Sequence, residues 1–140
     1  MNRATRRAFL SLALLAAVVA GCGGGINVAQ FDAKAKTFSI GPINNGSLQS
    51  DCEIVTGKAL YQEQLMQCTI ELQSHTHDSQ KLYYTWRWED PDGFTLAEEP
   101  WHFFALVGDE RKMLTGTATA PRAVKAQFLI RHRSTDDHEN

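Results

Sequence analysis

No segment of these 140 residues is long and apolar enough to stay in a membrane as a helix. The one long apolar run, 8–20, contains a single polar residue, Ser11, and falls short of the roughly 20 residues needed to cross ~30 Å of hydrocarbon. Cysteine is scarce, three in all, and no two are spaced as Cys-x-x-Cys, which argues against a thiol–disulfide enzyme. After residue 21 lysine and arginine do not cluster, and the net charge is −2, so nucleic acid is not an expected partner. Gly-x-Ser-x-Gly, His-Glu-x-x-His and a phosphate-binding loop are all missing, and serine and histidine occur without the spacing of a triad. No cofactor signature is found, and neither duplicated segments nor low-complexity tracts occur. The length suits one domain.

What is present begins at the N-terminus. Arg3, Arg6 and Arg7 precede the apolar run with no acid among them, which is the anatomy of a signal peptide. The run ends in Val19-Ala20-Gly21-Cys22. A cysteine directly after small residues resembles the lipobox of bacterial lipoproteins, where its sulfur receives a diacylglyceryl group before cleavage. The lipobox prefers Leu where Val19 stands. The expectation is a signal peptide over 1–21, a lipidated Cys22, and a tether of Gly23-Gly24-Gly25 that lets the domain stand off the membrane. Gly23 stands where an aspartate would resemble an inner-membrane retention signal, so the expected address is the periplasmic face of the outer membrane. Thr5-Arg6-Arg7-Ala8-Phe9-Leu10 looks like a twin-arginine motif, which leaves two export routes open.

Lipidation of Cys22 would leave Cys52 and Cys68 as an even pair in an oxidising compartment. A disulfide between them is the favoured expectation, worth roughly 3 kcal/mol in the chain-entropy account. Two buried free thiols are the alternative.

From Ile26 onward the pattern is that of strands. Segment 37–40 is β-prone and should end at Gly41-Pro42; Asn44-Asn45-Gly46 reads as a turn, and 53–56 as a short strand stopped by Gly57. Segment 60–67 is ambiguous between strand and helical turns. Met66, Cys68, Ile70 and Leu72 alternate with polar residues as in a half-buried strand. Over 81–90, Leu82, Tyr84, Trp86 and Trp88 share one face, and Asp90-Pro91-Asp92-Gly93 supplies turn chemistry. Further strands are expected at 103–107, 113–120 and 124–132, the last with Val124, Ala126, Phe128 and Ile130 on one face. Six to eight short strands predict an all-β domain, a β-sandwich over 26–133, with a polar tail over 134–140.

Tyr84-x-Trp86-x-Trp88-x-Asp90-x-x-Gly93, the downstream Trp101, Ala120-Pro121, and Ala126-x-Phe128-Leu129-Ile130-Arg131 resemble the YcfL-like family of small bacterial envelope lipoproteins. The similarity covers 81–131 well and the earlier half only in general arrangement; the Cys52 and Cys68 pair departs from it. The resemblance implies an immunoglobulin-like β-sandwich at the outer membrane and no established activity. A link to peptidoglycan synthesis follows from the company such relatives keep, which is association and not mechanism.

The candidate sites carry competing readings. The aromatic strand face would serve as a binding platform or, more commonly, as core. Trp101 and His102, beside Pro100, are candidate partner contacts. His75, His77 and Asp78 place three potential metal ligands in one polar loop, although a stable site wants a supporting shell that no spacing identifies. Glu98-Glu99 reads as a solvated pair, and Glu89, Asp90 and Asp92 as turn-flanking acids. No catalytic residue is assigned. The expected function is a non-catalytic adaptor that offers sandwich edges or loops to an envelope protein. The alternatives are a small envelope hydrolase or glycan-binding protein, and metal handling at His75 and His77.

Overall fold

The structure is a computed structural model that describes residues 26–134; the signal-peptide segment, Cys22, its glycine tether and residues 135–140 lie outside the described residues.

Period-two alternation builds most of it. Nine strands and one short helix follow in order: β1 (Asn27–Asp32), β2 (Thr37–Ile43), α1 (Gly46–Asp51), β3 (Cys52–Gln62), β4 (Leu65–Ser74), β5 (Gln80–Glu89), β6 (Thr95–Glu98), β7 (His102–Leu106), β8 (Arg111–Thr117) and β9 (Lys125–His132). The domain is all-β, in two antiparallel sheets. One runs β2-β1-β9-β5-β6, with β7 also paired to β5; the other has three strands, β3-β4-β8. β4 is the cleanest alternation, with Met66, Cys68, Ile70, Leu72 and Ser74 all buried and their neighbours not. Those side chains meet Ala29, Phe31, Trp86, Phe128 and Ile130 of the larger sheet in one shared core.

The aromatic face of β5 is core. Trp86 and Trp88 are each 1% exposed and stack at 5.5 Å and 15°, and Phe128 lies 4.9 Å from Trp86. On the opposite sheet Gly116 of β8 makes room for Trp86. A Cβ there would come 2.5 Å from Nε1 of the indole, so only glycine lets the strands approach this closely.

Three segments differ from the sequence expectations, and an ambiguous fourth is resolved, each for a local reason. Gly57 does not stop a strand, and β3 continues to Gln62. The ambiguous 60–67 is the β3–β4 hairpin, turning on Glu63 and Gln64 with φ of 50° and 70°. β2 passes through Gly41-Pro42, which is tolerated because β2 is an edge strand and its pairing with β1 shifts register between Ile40 and Ile43, leaving Pro42 without a ladder partner. Asn45-Gly46, read as a turn, opens α1 instead: the Asn45 carboxamide caps it by accepting from the Leu48 N–H at 3.0 Å.

The expected disulfide is not formed. Cys52 is paired with Ser74 and Cys68 with Ala59 on neighbouring strands, so six residues of β4, about 20 Å at strand rise, separate the two levels. A disulfide spans at most about 6.8 Å between Cα atoms. Both thiols are free and buried, small apolar fillers of the core. Burial pushes both up to about 12, with the Asp51 charge adding to the effect at Cys52. In native protein at pH 8 neither thiol should react with Ellman's reagent within an hour, and both should react at once in denaturant. Rapid native reaction would refute the buried placement. Because the folded thiols titrate above their ordinary 9.0, their contribution is intact below pH 9 and is lost as pH rises from there toward 12.

Candidate interaction surface

The polar candidates resolve into separate local pairs. His77 and Asp78 follow the end of β4, and His77 Nδ1 lies 2.8 Å from the Asp109 carboxylate on the β7–β8 turn, while His75 Nε2 lies 3.5 Å from Glu53. The two histidines are thus directed to different acids. Among the described residues no group of three His, Cys, Asp or Glu side chains is placed to hold a metal. The hydrogen bond to Asp109, and then its charge, raise His77 above the ordinary 6.5. Because the folded value is the higher one, the stabilising effect of this pair is present below pH 6.5 and fades as pH rises through the raised midpoint. Asp109→Asn should shift the His77 midpoint downward in an NMR titration; an unmoved midpoint would refute the assignment.

Asp90 behaves as the turn residue the sequence implies. Its Oδ1 accepts from the N–H groups of Asp92 and Phe94, both at 2.9 Å, and Arg122 approaches Oδ2 at 3.5 Å. Glu98 and Glu99 are not a simple solvated pair. Glu98 is bridged by Arg87. Glu99 sits in the break between β6 and β7: its N–H donates to Trp86 O, its carbonyl accepts from the Thr85 hydroxyl at 2.6 Å, and its carboxylate accepts from Trp88 Nε1 at 3.1 Å. The other carboxylate oxygen lies 3.3 Å from His102 Nε2. This acid supplies the partner that a buried tryptophan N–H needs, and nothing in the spacing around Glu98-Glu99 announced it.

Trp101 is half-buried under the Arg131 guanidinium, which lies 4.3 Å from its ring centroid and 5.5 Å from that of Tyr83. Tyr83 in turn meets the exposed Phe103 edge-on at 5.6 Å. Trp101 therefore already has a cation on one face, while His102 beside it is exposed and packs against Tyr84.

The seam between β2 and β3 was not singled out by sequence. Among the described residues each strand has one ladder partner and one open edge: β2 pairs with β1, and β3 with β4. The register places Phe38 beside Phe31 and Ile40 beside Ala29, so both side chains of β2 lie on the core-facing side of their sheet. On β3 the core-facing positions are Gly57, Ala59 and Tyr61, opposite Ile70, Cys68 and Met66. Ile40 and Tyr61 are nevertheless each 48% exposed. The smaller sheet stops at β3 and leaves them uncovered. Beside Tyr61 lies an open cleft of about 390 Å³, with Phe38, Gly57 and Ala59 as floor and Asp32, Lys36, Lys58 and Tyr61 around it. Burial first, then the charges of Asp32 and Cys68, raise the Tyr61 hydroxyl. A smaller cavity of about 110 Å³ lies farther along, between Ile40, Leu48 and Ile54. Of the large apolar side chains exposed among the described residues, Ile40, Val55, Leu60 and Tyr61 all belong to these two strands.

Comparison with known proteins gives a family and a fold. The model of a family described as "Protein of unknown function (DUF1425)" matches residues 41–132. A crystal structure of a DUF1425 family member from a Shewanella species is similar, at 22% identity and a TM-score of 0.55, over 70% of this chain and 89% of that one. A crystal structure of Cj0090 from Campylobacter jejuni is similar at 18% identity and a TM-score of 0.52, over 57% of this chain and 85% of the other. No curated protein matches the chain.

Proposed function

Since the chain belongs to the DUF1425 family, whose description assigns no activity, we propose that it is a lipid-anchored envelope protein that works as a non-catalytic binding module. Cys22 carries the anchor, the glycines after it form the tether, and the domain faces the periplasm from the outer membrane. The immunoglobulin-like arrangement and the YcfL-like kinship belong to the same reading; a link to peptidoglycan synthesis has only that kinship behind it. The observation that carries the binding role is the exposure of Ile40 and Tyr61 on the core-facing side of an open two-sheet edge. Apolar surface left uncovered at unpaired strand edges is costly unless something docks on it.

Crosslinking in intact envelopes tests it. The Cys22-anchored protein, carrying a photoactivatable residue at 61 or 103, should yield one reproducible protein adduct. Recovery of none from either position would overturn the binding role.

A further inference from the structure

The two sheets differ in width, and the difference falls at one place. The larger sheet is five strands across and the smaller only three. At the other side of the domain the smaller sheet is in register with its partner, since Gly116 of β8 lies directly against Trp86 of β5. At this side β3 reaches β1 and β2 at a single pinch: a Cβ on Gly57 would come 2.7 Å from the rings of both Phe31 and Phe38. Beyond that pinch, among the described residues, the inner face of β2 is only partly covered: Ile40, 48% exposed, borders Leu48 of α1 and Ile54 of β3 across the smaller cavity. Ile40 and Tyr61 point toward a core that is one strand short.

We propose that an extended segment of a partner polypeptide adds to the free edge of β3 as a fourth strand of the smaller sheet. This rests on the binding-module reading and names its site and its partner's chemistry. The edge offers a row of backbone N–H and C=O groups, which only another extended backbone can satisfy along its length. From Thr56 to Gln62 the strand runs without irregularity, past the bulge between Ile54 and Thr56. Side chains of the incoming strand that face inward meet Phe38, Ala59 and Tyr61 and must be apolar, at every second residue. Those flanking them meet Lys36 and Lys58, neither of which is in an ion pair among the described residues; against these two cations the lining has one acid, Asp32, so the segment carries acids between its apolar positions.

Other occupants fit less well. Residues 134–140 have no apolar side chain to bury there. A second copy would present the same Lys36 and Lys58 to one another. The polar groove of about 370 Å³ on the outer face of the larger sheet, between Asp32, Glu89, Lys125 and Gln127, lies over paired strands and offers no free backbone.

The test uses the full chain, 15N-labelled in detergent, and a capped nine-residue peptide of alternating valine and threonine with two glutamates. The expected result is saturable binding with Kd at or below about 1 mM. Shifts should centre on Thr56–Gln62, with every second β3 amide newly protected from exchange. Lys58→Glu should weaken binding at least fivefold. Ala59→Phe, which fills the cleft floor, should abolish it while the spectrum stays dispersed; should that variant not fold, the surface variant Lys58→Glu decides alone. No shift at 1 mM peptide, shifts centred on β7, or a dimer of the chain that closes this edge would each overturn the inference. Failure of the underlying reading looks different. It is the absence of an envelope adduct from either position, whereas an adduct from position 103 and none from position 61 would sink the seam alone and leave a binding module.

Discussion

Trp86→Ala is expected to cost about 3–5 kcal/mol, the range for truncating a buried tryptophan. For a domain whose whole stability is about 5–15 kcal/mol, that lowers the melting temperature by roughly 12–20 °C or prevents folding. The indole sits where both sheets meet, against Trp88, Phe31 and Phe128 on its own sheet and Gly116 on the other. Removing it opens a cavity that strands, fixed by their ladders, cannot collapse to fill. Among the described residues its Nε1 is the one fully buried side-chain nitrogen or oxygen without a hydrogen-bond partner. Trp86→Phe gives up volume but also removes that unpaired N–H, whose burial costs about 1–3 kcal/mol. The phenylalanine variant should therefore lose less than half of what alanine loses. Calorimetric melting of the two variants checks this, and equal losses would refute the relief expected from removing the unpaired N–H.

Cys22→Ser should change location rather than stability. Each buried CH₂ of an acyl chain adds ~0.8 kcal/mol of membrane affinity, and several chains on one residue make release negligible. Without the sulfur there is no attachment point. Labelled palmitate should no longer enter the protein, and it should be found uncleaved or free in the periplasm. Unchanged processing and membrane retention would overturn the lipoprotein assignment. A second readout separates this from misfolding: the soluble domain should keep the buried, unreactive Cys52 and Cys68.

The strands most legible in the sequence were those with a repeating face. β4 alternates over ten residues, and Met66, Cys68, Ile70 and Leu72 are buried as expected. On β5 Leu82, Trp86 and Trp88 are buried as expected, but Tyr84 is half-buried and Thr85, on the other face, is buried where its hydroxyl donates to the Glu99 carbonyl. The Asp90 turn was legible for the same reason, because its chemistry is local. What escaped was set by context. The β3–β4 hairpin turns on Glu63 and Gln64, both left-handed, where sequence reasoning looks for Asn or Gly. β6 has four residues and no alternation to detect. The cysteine pair was argued from compartment and parity, but register decides bonding, and register places them at different levels of adjacent strands. The seam was hidden most completely. Ile40 and Tyr61 look like ordinary strand residues, and only the unequal widths of the sheets expose them. His75 and His77 share a loop in sequence and face different acids in space.

The position of β1 has a mechanical consequence. Although it is the first strand, it lies inside its sheet, bonded to β2 on one side and β9 on the other. At its start the Asn27 carboxamide also accepts from the N–H groups of Asn44 and Asn45, both at 3.2 Å. A pull on the chain ahead of Ile26 therefore loads two ladders in shear, many bonds at once, instead of peeling a border strand one bond at a time. A domain tugged from that end would yield last where it is held.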